Sequence, residues 1–212
     1  MARILITSGP TREYLDPVRY LSNGSSGRMG SALAWAVLAA GHEAIVVTGP
    51  VDATYPPEAE VTRVVSTEEM RDACLAAFPT CHGLIAAAAP CDYRPVEVAS
   101  RKLPKNGRPL VVEFVETPDI VAALAERKES RWIVAFALET HDHHARAMDK
   151  LRRKQCELIV VNGPTAIDSP ETSLDVLDKD GQVAASIAGD KIRAAEQLFA
   201  LIADRLLARS AR

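Results

Sequence analysis

The chain has 212 residues, 48% of them hydrophobic and 25% charged, enough for one sizeable core or at most two small ones. A net charge of −3 supplies no global attraction for nucleic acid or an anionic membrane, so an anionic ligand has to be held by a few local cations and oriented N–H groups. No apolar run approaches the roughly 20 residues that span a bilayer, no signal peptide precedes the first strand, and the four cysteines form no CxxC pair, which together predict a cytoplasmic protein with reduced thiols.

Short apolar runs alternate with amphipathic stretches along the chain, the pattern of a mostly parallel sheet covered by helices. "RILIT" (3–7) reads as the first strand and "TSGPTRE" as the turn after it. "RYLSNGSSGRMGSAL" (19–33) is a loop of small polar residues running into a helix, "MGSALAWAVLAA". Strands follow at "EAIVVT" (43–48) and "VTRVV" (61–65), then a helix at "TEEMRDACLAAF" and a strand at "GLIAAAA" (83–89). Residues 90–115 break the rhythm with prolines, lysines and arginines and one exposed-looking strand, "PLVVEFV" (109–115), and read as a flap. "TPDIVAALAERK" predicts a helix with Thr117 as its cap, Pro118 in its first turn and Asp119 complementing its dipole.

Beyond it come a strand "WIVAFAL" (132–138), a helix "HARAMDKLRRKQ" and a strand "ELIVVN" (157–162). "SLDVLDKDGQVAASIAG" turns at Asp180-Gly181 and reads as a hairpin on the sheet edge. The last helix, Lys191 to Leu207, carries an apolar stripe at Ile192, Ala195, Phe199, Ile202 and Leu206. The expected fold is α/β, a Rossmann-like mostly parallel sheet with helices on both faces, plus the flap and the edge hairpin, in one domain over 1–212.

Four constellations carry chemistry. In "NGSSGRMG", Gly24, Gly27 and Gly30 allow close backbone approach, Ser25 and Ser26 offer hydroxyls, and the helix start offers unpaired N–H groups, which suits an anion and above all a phosphate. A purely packing role for these glycines and an NAD(P) site are the competing readings. The second is disfavoured because the glycines do not follow the strand directly and no carboxylate ends the second strand. In "AAAAPCDYRP" an alanine wall can take a flat ring while Asp92 accepts from hydroxyls; packing under a helix is the plain alternative. "RKLPK" (101–105) is a cationic cluster in the flap, and solvated surface charge explains most such runs. "HDHH" (141–144) has no partner motif, so a solvated helix start is preferred to a metal site and no metal ligand is assigned.

Taken in order, "TSGPTREYLDPVRYLSNGSSGRMG", "AAAAPCDYRP", "RKLPK" and "VAFALET" resemble phosphopantothenoylcysteine synthetase, the synthetase half of the coenzyme A biosynthesis bifunctional flavoprotein family. The resemblance implies a free-standing ligase that joins 4′-phosphopantothenate to L-cysteine through an acyl-nucleotidylate formed from CTP or ATP. Magnesium would accompany the triphosphate, no flavin would be needed, and a flavin-dependent decarboxylase, if a partner, would be a separate protein. It implies that Asn23 holds the acyl-nucleotidylate, that Arg19 binds the phosphopantothenate side, and that Ala89 contributes to substrate binding. It further implies that Gly9, Ser26, Gly27, Arg28, Met29, Ala89, Asp92, Lys102, Lys105 and Ile167 form the nucleotide site, with Lys102 closing over the phosphates, and that the protein is a homodimer. Two alternatives stay open: a nucleotide-binding homologue that serves as a regulatory or interaction module, and an NAD(P)-dependent oxidoreductase.

Overall fold

The computed structural model describes residues 1–138, 143–162 and 171–208. Its centre is an eight-stranded mixed sheet. In chain order the strands are β1 (Arg3–Ser8), β4 (Glu43–Thr48), β5 (Glu60–Arg63), β6 (Gly83–Ala86), β9 (Trp132–Leu138), β10 (Leu158–Asn162), β11 (Glu171–Asp178) and β12 (Val183–Asp190). Two short hairpins lie outside it: β2 (Arg12–Tyr14) pairs with β3 (Tyr20–Ser22), and β7 (Tyr93–Pro95) with β8 (Phe114–Glu116). Across the large sheet the order is β12-β11-β10-β9-β6-β1-β4-β5. The six strands from β10 to β5 run parallel, while β11 and β12 are antiparallel.

The six parallel strands fall on the six runs read from the sequence, and all but the exposed edge strand β5 are apolar without alternation because strands buried on both faces need none. Ile4 and Ile6 of β1 enter one apolar cluster and Leu5 enters the other, as the two-residue repeat of a strand requires. The first cluster is closed by α1 (Arg28–Ala39) and α5 (Lys191–Ile202). The second is closed by α2 (Thr67–Ala77), α3 (Ile120–Ala125) and α4 (His143–Arg153). Helices therefore cover both faces. Ser66 and Glu69 start α2 with a reciprocal capping box.

Several boundaries differ from expectation for local reasons. β6 stops at Ala86, and residues 87–89 peel away: Ala88 N–H donates to Thr7 Oγ1 at 3.2 Å and Ala89 N–H to the Gly9 carbonyl at 2.9 Å. Asp119, not Thr117, caps α3, accepting from Ala122 N–H at 3.1 Å, because the Thr117 hydroxyl is spent on the Cys91 carbonyl. Of the expected flap strand 109–115 only its last residues enter β8, which pairs with Tyr93–Pro95 and is extended by one bond from Val96 N–H to the Glu113 carbonyl at 3.0 Å. The final helix finishes as a π-helical turn at Ala203–Leu207. Its buried face centres on Ala194, Ala195, Leu198, Phe199 and Ile202, which leaves Ile192 of the expected stripe exposed. The edge hairpin turns where expected, with the Asp178 carboxylate accepting from Asp180 and Gln182 N–H at 3.1 and 3.0 Å. No helix among the described residues is long and apolar enough to cross a membrane.

Candidate functional site

From β1 the chain crosses to β4 and β5 on one side, then returns to β6 on the other, so a switch point lies between the carboxyl ends of β1 and β6. A groove of about 770 Å³ opens there. Its floor is Thr7 and residues 86–92, one side is the start of α1 with the first residue of α5, which packs beside α1, and the other side is built from α3, β9 and α4.

The α1 wall is made for close approach. Gly27 holds φ +74 at the helix start, with no side chain capping it. A Cβ on Gly30 would lie 2.2 Å from Ser8 Oγ, so only glycine lets α1 sit this near β1. Ser8 is fully buried and its hydroxyl donates to the Gly27 carbonyl at 3.1 Å, fixing the turn from beneath. The first N–H groups of α1, with Ser25 and Ser26 beside them, border the groove and offer a seat for a phosphate. The floor is narrow and apolar at Ala86, Ala87, Ala88 and Ala89, next to Phe136, which leaves width for a flat ring.

On the α4 side stand Lys150, Arg153 and Lys154, and the lining also holds Lys191, Asp92, Glu116 and Asp119. Lys154 Nζ is 2.9 Å from Asp119 Oδ2, and Lys150 Nζ donates to the Phe136 carbonyl at 2.9 Å. Burial raises the Asp119 pKa, but the hydrogen bond and charge of Lys154 outweigh it and hold the carboxyl below the usual range. All four cysteines are free and buried. Burial pushes the thiols of Cys74 and Cys156 up to about 12 and raises that of Cys91 at the groove floor, so none is a ready thiolate nucleophile.

Of the residues expected to form a site, Asn23, Ser26, Gly27, Arg28, Met29, Ala89 and Asp92 all line this groove. Asn23 Nδ2 donates to the carbonyls of Ala89 and Pro90 at 3.2 and 2.9 Å, so its donors hold the floor and its carbonyl oxygen is the remaining polar atom. Gly9 sits behind the groove, with φ +72, against Val51 and Thr48. Arg19 and Lys105 border a separate cavity of about 260 Å³ within the flap, and Lys102 lines neither cavity. Ile167, His141 and Asp142 lie outside the described residues. Among those described, no group of three or more His, Cys, Asp and Glu side chains is arranged to hold a metal ion.

The sequence reading missed the cationic wall. Lys150, Arg153 and Lys154 recur at the i, i+3, i+4 spacing that puts side chains on one helix face, a pattern visible in "KLRRK" but read only as an amphipathic helix. It also missed the fully buried Asp16. The Asp16 carboxylate accepts from Val18 and Arg19 N–H at 2.8 and 2.9 Å, from Arg19 Nη2 at 2.6 Å and from Leu103 N–H of the flap at 3.2 Å. Arg19 Nη2 also donates to the Leu103 carbonyl at 2.5 Å. Arg19 is thus a clasp between the β2–β3 turn and the flap.

Fold and groove together define an α/β protein with a groove suited to a phosphorylated small molecule. Residues 1–206 match the family described as DNA/pantothenate metabolism flavoprotein C-terminal domain, and the chain belongs to that family. A coenzyme A biosynthesis bifunctional protein CoaBC from Haemophilus influenzae is 36% identical over 206 residues, covering 95% of this chain and 51% of that protein. A protein from an unknown prokaryotic organism named cysteine/cysteine sulfinic acid decarboxylase is 39% identical over 189 residues, covering 85% and 52%. The crystal structure of the C-terminal domain of a CoaBC protein superposes with TM-score 0.82 at 32% identity, covering 97% of this chain and 96% of that one. The chain spans about half the length of the curated relatives it matches.

These findings correct the functional expectations. The free-standing synthetase assignment, and with it the ligase activity, CTP or ATP, magnesium and the separate pair of 4′-phosphopantothenate and L-cysteine, are withdrawn: the matching family is described as a flavoprotein domain and a relative carries the name of a decarboxylase. The expectation of no flavin, with any flavin-dependent decarboxylase a separate protein, falls with it. The physical reason the residues misled is plain. A glycine-bordered helix start and an alanine-lined strand end fit any flat ring bearing a phosphate, whether nucleotide or flavin mononucleotide.

Proposed function

We propose that the groove holds phosphopantothenoylcysteine and that the chain serves the flavin-dependent decarboxylation of that molecule in coenzyme A biosynthesis, in the cytoplasm. It does so as one domain over residues 1–212, with residues 90–115 as a flap. The observation that carries the proposal is the presence in one groove of a phosphate seat at the start of α1 and, on the other side, the Lys150, Arg153 and Lys154 cations of α4. A molecule with a phosphate at one end and a carboxylate at the other has matching charge for both. Family membership supports the flavin and the pantothenate chemistry, and the relatives support the coenzyme A setting.

The seat at the start of α1 holds one phosphate, here the substrate's, so what the groove offers a flavin mononucleotide is the flat apolar floor of residues 86–89 with Phe136, which fits its ring. A bound flavin would supply a reversible two-electron acceptor, the electrons returning to the product because the loss of carbon dioxide is redox-neutral overall. This chain's own residues bind and orient. Ser26, Gly27, Arg28 and Met29 take the phosphate, Lys150 and Lys154 attract the carboxylate, and Ala89 and Asp92 border the middle of the ligand. Asn23 keeps the floor in place through Ala89 and Pro90. A second reading, a binding domain without turnover of its own, is favoured by one observation: no histidine is among the described groove residues, and the Cys91 thiol there is buried.

The test supplies purified chain with phosphopantothenoylcysteine and flavin mononucleotide and follows carbon dioxide and flavin absorbance. A parallel reaction holds phosphopantothenate, cysteine and CTP with magnesium. Carbon dioxide release in the first vessel that depends on added flavin, with the flavin absorbance recovered at completion, is the expected result. Saturable binding without carbon dioxide supports the second reading. Pyrophosphate released in the parallel vessel overturns the proposal.

A further inference from the structure

The groove floor is held by a closed ring of hydrogen bonds around one peptide. Cys91 N–H donates to Thr11 Oγ1 at 2.8 Å, and Thr67 Oγ1 donates to the Cys91 carbonyl at 3.3 Å. Thr11 Oγ1 and Thr67 Oγ1 are 2.8 Å apart. A hydroxyl has one proton, and that of Thr67 is given to Cys91, so Thr11 is the donor between the two threonines. The ring runs Cys91 N–H to Thr11, Thr11 to Thr67, and Thr67 back to the Cys91 carbonyl. Thr117 Oγ1 donates to the same carbonyl from the other side, and Thr117 N–H donates to the Asp92 carbonyl at 3.0 Å. Thr11 is 0%, Thr67 1% and Cys91 2% exposed, so water cannot replace a missing partner.

The three threonines come from three separate places: the turn after β1, the first residue of α2 and the residues before α3. What they clamp lies between Pro90, whose carbonyl accepts from Asn23, and Asp92, which lines the groove. We infer that Thr11, Thr67 and Thr117 are positioning residues that set the ligand-facing floor by locking the Cys91 peptide. The inference rests on the groove being the ligand site. Thr11 lies behind the groove lining, whereas Thr67 and Thr117 also border it, so Thr11 is the one whose effect on the ligand has to pass through residues 89–92.

The test compares Thr11→Val, which removes the acceptor of Cys91 N–H at nearly constant shape, with Thr11→Ser, which restores it. Two readouts are taken on the full chain, its fold checked by circular dichroism: hydrogen exchange of the Cys91 amide, and calorimetric affinity for phosphopantothenoylcysteine. Thr11→Val is expected to speed the exchange about tenfold or more and to weaken binding about tenfold, with both restored in Thr11→Ser. Unchanged exchange in Thr11→Val overturns the clamp. Faster exchange with unaltered affinity overturns its positioning role. If Thr11→Val does not fold, Thr11→Ala against Thr11→Ser is judged by the same two rules. Exchange is measured without ligand, so a wild-type chain that fails to bind defeats the proposed ligand and leaves the clamp to be judged by its amide.

Discussion

Gly49→Ala is expected to lower the stability of the chain by about 3 kcal/mol, at the upper end of what overpacking a well-filled interior costs. A Cβ at position 49 would lie 1.6 Å from the Pro10 carbonyl oxygen and 2.7 Å from its carbon. Those are backbone atoms and cannot rotate away. Pro10 bridges to Ala89, the Gly9 carbonyl accepts from Ala89 N–H, and Gly49 N–H donates to the Ser8 carbonyl at 3.0 Å. Relief therefore has to move the whole turn after β1, which also carries Thr11. Urea unfolding reads the effect directly: the midpoint should fall sharply with an unchanged slope. A wild-type midpoint would mean that the close approach of these two turns is not maintained in solution.

The second large effect is expected at Asp16→Asn, and it concerns the flap. Burial by itself would raise the Asp16 pKa, but N–H groups of Val18, Arg19 and Leu103 and the Arg19 guanidinium reverse this and hold it far below the usual carboxylate value. An amide in that place cannot accept from all of these donors, and it loses the charge that orients Arg19. The flap should then come free of the β2–β3 turn, and trypsin should cut after Lys102 and Lys105 at least about tenfold faster, with the rest of the fold retained.

The sign of the pH dependence follows from the lowered value. The contribution of Asp16 is complete above the unfolded carboxylate value of about 3.9 and is lost as pH falls below it toward the folded value. Flap cleavage by an acid-active protease should therefore rise below about pH 4 in the wild type and show little such rise in Asp16→Asn. Equal cleavage of both proteins at neutral pH would remove the clasp from the account.

What could be read beforehand divides along a physical line. β1, β4, β9 and β10 are runs of Val, Ile, Leu and Ala long enough to announce strands buried on both faces, and they stand within a residue or so of where the runs place them. The β2–β3 hairpin has three-residue strands around a turn organised by one buried carboxylate, and nothing periodic marks it. It is held by partners distant in sequence, such as Leu103, and by the Tyr14–Tyr20 ring contact at 5.4 Å.

The site shows the same division. The loop before α1 and the alanines after β6 were visible because glycine and alanine state how much room the backbone leaves. The cations of α4 were not, because only the sheet order brings β9 and α4 alongside β6. Nor did the residues distinguish one phosphorylated ring from another. Shape and charge at a phosphate seat carry little information about the chemistry performed at the far end of the ligand.

The most direct test of the central claim is a calorimetric titration of phosphopantothenoylcysteine into the purified chain at low and moderate salt. The groove as described predicts saturable binding, one molecule per chain, weakened by salt as charge-held anions are and weakened further in Lys154→Ala. A folded chain that takes up no phosphopantothenoylcysteine, or takes it up equally well without Lys154, would contradict the assignment of this groove.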